Sequence, residues 1–140
     1  MRKFKFLDIT TADIAFEAYG KTLNELFANA ALAMFEVMVN TKQIKSKIKK
    51  NVELKSMDLK GLLFSWLNEL LIFYGSENLA FSIFKVKIDK KNFSLKAECS
   101  GEKIDHKKHD VKTEVKACTY YKMKIEKIKD KWKTQVILDI

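Results

Sequence analysis

The sequence contains only two cysteines and no proline. Cys99 and Cys118 lie in segments with strand-like alternation and have no second cysteine close by, which disfavours both a redox pair and a zinc-binding pair. We expect both to be small core residues. A disulfide is not needed for stability, because a chain of 140 residues buries roughly two-thirds of the surface that its unfolded form exposes.

Long apolar runs are also missing, and none approaches the ~20 residues that a membrane-spanning helix needs. The first seven residues alternate charged with apolar side chains and include no apolar block of signal-peptide length, so they predict a first strand. Hydrophobic residues make up 47% of the chain and charged residues 32%, which is typical of globular proteins. We expect a soluble, cytoplasmic protein with no membrane partner.

Sequence signatures of common enzymes are absent as well. The chain has no Gly-rich phosphate loop, zinc-finger spacing, His-Glu-x-x-His motif or nucleophile elbow. It also has no conventional RNA-reading motif. These absences disfavour a catalytic activity of its own. A small metal-dependent hydrolase stays an alternative, although no general base or nucleophile is evident for it.

What the sequence does have is positive charge: 27 Lys and Arg against 18 Asp and Glu, for a formal net charge of +9. A positive field attracts polyanions and would suit a nucleic acid or an acidic protein surface. The lysines, however, are spread over residues 42–55, 85–96 and 103–133. Such a lysine- and isoleucine-rich, proline-free composition is equally typical of genome bias or a hot habitat, so direct RNA binding is only an alternative.

The N-terminal part of the chain predicts two strands and a helix. Residues 2–7 and 14–19 alternate as strands on either side of an acidic turn. Thr22 and Glu25 then form a capping-box pattern, and apolar residues follow at helical spacing. This predicts a helix over about residues 22–39.

A second helix is predicted after a short strand over residues 51–56. Asp58 is suited to cap the start of this helix, which should extend over about residues 58–74 and end at Gly75. Leucines and Trp66 form one apolar face, and we interpret Trp66 as core packing rather than as part of a binding groove.

The C-terminal half returns to an alternation of period two. Residues 84–88 and 93–99 predict a hairpin, residues 113–128 a long strand, and residues 134–138 a terminal strand. The order of elements indicates an α+β fold in which two main helices pack on a mainly antiparallel or mixed β-sheet. No linker or repeat interrupts it, so we expect one domain over residues 1–140.

Residues 100–112 are polar enough to predict a mobile loop, which contains both histidines of the chain. His106 and His109 have the spacing of a metal-binding pair, but no third imidazole or thiolate stands nearby in the sequence. We therefore interpret both as solvated loop histidines.

Carboxylates at the two ends of the chain are the main candidates for a site. Asp139 and the terminal carboxylate of Ile140 follow the last strand, and Asp8 and Asp13 border the first acidic turn. If the strands bring these groups together, their repulsion calls for a proton or a cation, and oxygen ligands favour calcium or magnesium. The alternative is that the aspartates cap turns and that the chain end frays in solvent.

Five segments together resemble the archease family, a group of small proteins associated with the tRNA-splicing RNA ligase. The first contains Phe-Leu-Asp at residues 6–8 with Thr-Ala-Asp-Ile at 11–14. The second is residues 18–31, and the third is residues 63–71. The remaining two are Gly-Glu at 101–102 with Glu-Val-Lys-Ala-Cys-Thr-Tyr at 114–120, and Val-Ile-Leu-Asp-Ile at 136–140. In this order they extend over nearly the whole chain.

The resemblance implies an accessory activator rather than an enzyme. Archeases help the ligase to form its guanylylated-histidine intermediate, allow multiple turnover and broaden nucleotide choice. The ligase is the expected partner, with tRNA as an indirect one. The family's metal ligands fall on Asp13, Asp139 and Ile140, which implies a divalent cation, with calcium favoured. Lys116 matches a characteristic family position, and Lys116 and Asp8 are candidate contacts for a partner or a phosphate.

The chain departs from the family pattern at two places. Many archeases read Leu-Asp-His-Thr-Ala-Asp, whereas here Ile9, Thr10 and Thr11 replace the His-Thr pair, and any role of that histidine is lost. Tyr121 stands where a histidine often follows Thr-Tyr. The alternative function is a basic tRNA-binding or chaperone-like module that delivers or releases RNA without a catalytic metal role; the chaperone form would need exposed apolar surface.

Overall fold

Nine main elements alternate along the chain in the computed structural model, which describes residues 2–140. In order they are β1 (Phe4–Leu7), β2 (Ile14–Gly20), α1 (Leu23–Met38), β3 (Ile48–Lys55), α2 (Leu59–Glu77), β4 (Leu79–Asp89), β5 (Ser94–Lys103), β6 (Ala117–Ile128) and β7 (Lys131–Asp139). A short 3₁₀ turn, Thr41–Gln43, lies between α1 and β3.

The strands form two antiparallel sheets rather than one. The first has the order β1-β2-β7-β6 and the second the order β3-β5-β4. Every strand pair described in residues 2–140 is antiparallel. This confirms the α+β class, and of the two expected arrangements, mainly antiparallel or mixed, the structure has the antiparallel one. Because β2 pairs with β7, the first and last parts of the chain are neighbours at the centre of one sheet.

Helix α1 confirms the prediction from the capping box. The Thr22 hydroxyl accepts a hydrogen bond from the Glu25 N–H at 3.2 Å, and Glu25 in turn accepts one from the Lys21 N–H at 2.7 Å. The helix packs against β2 and β7 of the first sheet and against β4 of the second. It therefore joins the two sheets through a shared core, where burial of its apolar face supplies most of its stability.

Helix α2 starts as predicted and ends later than predicted. The Asp58 carboxylate caps it by accepting from the Gly61 N–H at 2.7 Å. The helix continues through Gly75 to Glu77, because Asn78 takes the left-handed conformation, with φ of 58°, and its N–H bonds to the Phe73 carbonyl oxygen. An asparagine in this conformation ends a helix as a glycine does.

Aromatic side chains fill the interface between the helices and the second sheet. Trp66 is fully buried, and its indole N–H donates to the Phe27 carbonyl oxygen at 3.0 Å, which ties α2 to α1. Phe84 packs against the Trp66 ring with centroids 6.1 Å apart, and Phe35, Phe81 and Phe84 pack on one another with centroids about 6 Å apart. The interpretation of Trp66 as a core residue is confirmed.

The segment predicted as a mobile loop is largely ordered, and that prediction was wrong. Strand β5 continues to Lys103, and the N–H of Lys112 donates to the Met38 carbonyl oxygen at 2.8 Å beyond the end of α1. An isolated bridge joins Val39 to Val111.

The expected short strand at 51–56 lies at Ile48–Lys55. Neither helix of the part described is long and apolar enough to cross a bilayer.

Candidate functional site

The candidate site lies at one end of the two central strands of the first sheet, where β2 begins and β7 ends. Ile14 on β2 pairs with Leu138 on β7, and the next residues outward are Asp13 and Asp139. In an antiparallel pair, residues at directly opposite positions have Cβ atoms about 4.5–5.5 Å apart. The register thus brings the start of β2 and the end of β7 to neighbouring positions, although they are far apart in sequence.

The last residue is held by the fold. Asp139 pairs with Ala117 on β6, and the Lys116 N–H donates to the Asp139 carbonyl oxygen at 2.8 Å. The Ile140 side chain is half-buried and packs against the hydrophobic core. This anchoring argues against fraying of the chain end in solvent. The side chain of Lys116 is exposed, while its backbone is part of the site.

The candidate ligands at these strand ends carry only oxygen donors. Asp13 is half-buried, whereas Asp8 and Asp139 are exposed. No group of three His, Cys, Asp or Glu side chains suited to a metal occurs within residues 2–140. Two aspartates and the Ile140 carboxylate would form a hard-oxygen set, which fits calcium or magnesium. The ligand set itself stays a prediction.

Two residues that the sequence did not point to lie beside Asp13. A cleft of about 390 Å³ is lined by Asp13, Glu36 and Lys112, together with apolar residues of β1, β2 and α1. The Lys112 ammonium lies 2.5 Å from Glu36 Oε2, and the Thr41 hydroxyl donates to Glu36 Oε1 at 2.6 Å. The available signal was an acidic residue between buried Phe35 and Val37 in the apolar half of α1.

The charge of Glu36 is stabilised by its partners. Burial acts to raise its pKa, but the Lys112 ammonium and the Thr41 hydroxyl outweigh burial and hold the pKa below its ordinary value. Glu36 is therefore ionised near neutral pH and neutralises Lys112. Asp13 thus lies beside an internally balanced ion pair.

A buried histidine holds the segment that leads to this cleft. His109 is only 4% exposed. Its Nδ1 accepts a hydrogen bond from the Asp105 N–H at 2.9 Å, which leaves Nε2 as the atom that donates to Glu102 Oε2 at 3.1 Å. The prediction of a solvated histidine was wrong for His109, because both ring nitrogens are used inside the fold. His106 is exposed, as expected.

Replacing Glu102 with glutamine is expected to destabilise the fold by roughly 1–3 kcal/mol at neutral pH, because Oε2 accepts from both His109 and the Lys45 N–H, and a neutral amide oxygen accepts weaker hydrogen bonds than a charged carboxylate oxygen does. The Lys45 N–H, more than any other group, holds the pKa of Glu102 below its ordinary value. The carboxylate's contribution is therefore complete above the unfolded-state pKa of about 4.3 and is lost as pH falls through the folded-state pKa.

Urea unfolding of wild type and Glu102→Gln between pH 7 and about pH 3 checks this. The difference in stability should narrow as the pH falls. Glu98→Gln on the same strand is the control, because Glu98 forms only surface ion pairs and should change stability by less than about 0.5 kcal/mol. A difference between wild type and Glu102→Gln that is independent of pH would contradict the assignment.

Neither cysteine belongs to the site. Cys99 and Cys118 are free and buried. Burial raises the pKa of each thiol to about 12, so both are protonated near neutral pH and are poor nucleophiles. The interpretation of both as core residues is confirmed.

The sequence and fold match known proteins over almost their whole length. A model of the "Archease protein family (MTH1598/TM1083)" matches residues 4–140. "Protein archease" of Sulfurisphaera tokodaii is 48% identical over 126 residues, which cover 90% of each chain. "Protein archease" of Pyrococcus furiosus is 46% identical over 133 residues, which cover 93% of this chain and 94% of the relative.

Solved structures agree with the sequence relatives. The solution structure of Methanobacterium thermoautotrophicum protein 1598 is 44% identical, with a TM-score of 0.87 and full coverage of both chains. A crystal structure from Thermotoga maritima, described as that of an archease and possible chaperone, is 26% identical, with a TM-score of 0.67 and coverage of 100% of this chain and 98% of the other. This chain therefore belongs to the archease family.

Proposed function

We propose that this protein is an accessory activator of the tRNA-splicing RNA ligase, which promotes guanylylation of the ligase and multiple turnover by means of a carboxylate-bound divalent cation. Family membership supports the accessory role. The observation that most supports the cation is the strand register, in which Asp13 and Asp139 directly follow the Ile14–Leu138 pair. Ile140 packs on the core beside them.

Each of the residues at these strand ends has its own role in the proposed function. Asp13, Asp139 and the Ile140 carboxylate would hold the cation, which when bound supplies a Lewis acid and a template for nucleotide phosphates. The exposed Lys116 ammonium binds a phosphate or an acidic group of the partner beside them. Because these groups lie at the ends of three adjacent strands of one sheet, β2, β7 and β6, we expect that little of the site needs to become ordered when the partner docks.

Ligase guanylylation measured with wild type and with Asp13→Asn tests the proposal. Loss of a direct ligand is expected to lower the stimulated rate by roughly 10- to 100-fold or more, since even supporting residues of metal sites have effects of that size. Asp130→Asn is the matched control: it removes the same charge in the β6–β7 turn, at the other end of these strands, and should stimulate normally. Equal stimulation by folded Asp13→Asn and wild type would count against the proposal.

The alternative is a basic tRNA-binding or chaperone-like module without a catalytic metal role. Its support is the net charge of +9 and the description of the Thermotoga maritima relative as a possible chaperone. On this alternative, Asp13→Asn stimulates the ligase fully. The alternative also predicts that the chain alone binds tRNA with an affinity that falls steeply as salt rises, but the response of the ligase to Asp13→Asn is the result that separates the two functions.

A further inference from the structure

Strand β6 contains a large bulge that the proposed cation site does not use. Thr119 pairs with Ile137 and Lys124 pairs with Gln135, so four residues of β6, 120–123, lie opposite the single residue Val136 of β7. We call residues 120–123 the β6 bulge. Bulges of this kind redirect side chains and are frequent beside functional sites.

The backbone of the β6 bulge is strained. Four non-glycine residues in the described part of the chain have positive φ, namely Asn78, Phe93, Lys122 and Lys129. Asn78 ends a helix, while Phe93 and Lys129 lie in hairpin turns, where this conformation is common. Lys122, with φ of 53°, is instead within a strand. A lysine in this conformation costs on the order of 1 kcal/mol, so the surroundings must hold it there.

Neighbouring side chains hold the bulge in place. The Gln135 amide donates to the Lys122 carbonyl oxygen at 2.9 Å, and the Thr134 hydroxyl donates to the Lys124 carbonyl oxygen at 2.6 Å. On the outer side, β6 is an edge strand, and Asn68 of α2 bonds to both the N–H and the carbonyl oxygen of Cys118. Asn68 therefore satisfies the outward backbone groups of this edge strand at Cys118, two residues before the bulge begins.

The β6 bulge presents two tyrosine rings to solvent. Tyr120 is 54% exposed and Tyr121 64% exposed. One face of the Tyr120 ring stacks on Phe64, with centroids 4.0 Å apart and planes 9° from parallel. The Lys122 ammonium lies 5.3 Å from the centre of the Tyr121 ring. Stacking on Phe64 fixes the orientation of the Tyr120 ring, and each exposed tyrosine ring offers a face on which a flat group can stack.

The charge around these rings fits a polyanion. Residues 116–131 contain six lysines and two acidic residues, Glu126 and Asp130. Aromatic rings combined with lysines are what proteins use to bind single-stranded nucleic acid, because every base has a π-face and every linkage a phosphate. A duplex would leave the rings unused, since its bases are already stacked on one another.

We propose that the β6 bulge is a binding site for single-stranded RNA, in which Tyr120 and Tyr121 stack on unpaired bases and Lys122 contacts the phosphate backbone. This site goes beyond the proposed function and needs neither the cation nor the ligase. Residues 117–119 of β6 separate the bulge from the strand end at which Ala117 pairs with Asp139, a distance of about 10 Å along the strand. RNA held at the bulge therefore lies close to the candidate cation site.

Fluorescence anisotropy with a labelled single strand of about 12 nucleotides, in EDTA and at constant salt, tests this site. Tyr121→Ala is expected to weaken binding roughly 5- to 100-fold, whereas Tyr121→Phe keeps the ring and should stay within about twofold of wild type. The same RNA annealed to its complement should bind more weakly and respond less to Tyr121→Ala.

A pair of lysine variants distinguishes a direct contact between Lys122 and the RNA from the general effect of removing one positive charge. Lys122→Gly and Lys129→Gly each remove one positive charge at a residue of nearly the same backbone conformation, φ of 53° and 58°. Glycine tolerates that conformation, so both variants keep the fold. The proposal expects a clearly larger loss of single-strand affinity for Lys122→Gly.

Three results would overturn the RNA site: unchanged affinity of folded Tyr121→Ala, equal losses from the two lysine variants, or lower ligase guanylylation by Tyr121→Ala in a reaction without RNA. The last would identify the bulge as a protein contact. Since the binding experiment contains no ligase and no free divalent cation, failure of the proposed cation role leaves its outcome unchanged.

Discussion

Gly101→Ala is expected to destabilise the fold by about 3 kcal/mol or more, a large part of the total stability of a small domain. Gly101 lies in the central strand of the second sheet, opposite Phe81 on β4 and Ile48 on β3. A Cβ atom there would lie 1.9 Å from the Ala80 carbonyl oxygen and 2.7 Å from the Phe81 Cα. Both are backbone atoms, so the clash is relieved only by separating β4 from β5.

Gly75→Ala is the matched control for this substitution. Gly75 lies inside α2, and nothing stands within 4 Å of the position its Cβ would take. Alanine loses less backbone entropy than glycine in a helix, so this variant should be more stable than wild type by roughly 0.5–1 kcal/mol. Urea unfolding measures both changes, and a Gly101→Ala variant as stable as wild type would show that the strands are not packed as closely as described.

Adding one glycine after Ile140 is expected to abolish stabilisation by calcium. The extension leaves every side chain in place but moves the terminal carboxylate by up to about 3.6 Å, beyond the reach of a site built on Asp13 and Asp139. At a calcium concentration of about 100 times the dissociation constant, binding stabilises a native protein by about 2.7 kcal/mol. The extended chain should lose most of that gain.

Thermal unfolding of both chains with EDTA and with calcium measures this difference. Asp130→Asn should respond to calcium like the unmodified chain, because Asp130 lies at the far turn of the sheet. Without calcium, the extended chain should unfold at nearly the wild-type temperature, since Ile140 keeps its packing. Equal calcium stabilisation of the two chains, or none in the unmodified chain, would remove the Ile140 carboxylate from the ligand set.

Local patterns predicted the start of each helix correctly, and for a physical reason. Thr22 and Asp58 accept hydrogen bonds from N–H groups three residues ahead, an interaction contained in a few consecutive residues. The end of α2 was missed, because Gly75 and Asn78 are both suited to end a helix and the choice between them depends on packing. The Asn78 amide bonds to the carbonyl oxygen of Ile104, which is distant in sequence.

Long-range contacts explain the remaining errors. His109 was predicted in a mobile loop because its neighbours in sequence are polar, yet Glu102 and the Asp105 N–H bond to its ring. Glu36 was overlooked because its partner Lys112 is 76 residues away. The carboxylates at the two chain ends were identified from the sequence, but their grouping depends on a strand pairing that no local pattern encodes.

Composition and periodicity alone determined the α+β class, the positions of both helices, and the core role of Trp66 and the cysteines, because these follow from interactions among near neighbours. The choice of Asp13, Asp139 and Ile140 as candidate ligands followed from the family resemblance. Only the tertiary structure decided the division into two sheets, the Ile14–Leu138 register, the burial of His109 and the β6 bulge. Each of these depends on which distant segments pair. That choice is made by the free energy of the whole core rather than by any single segment.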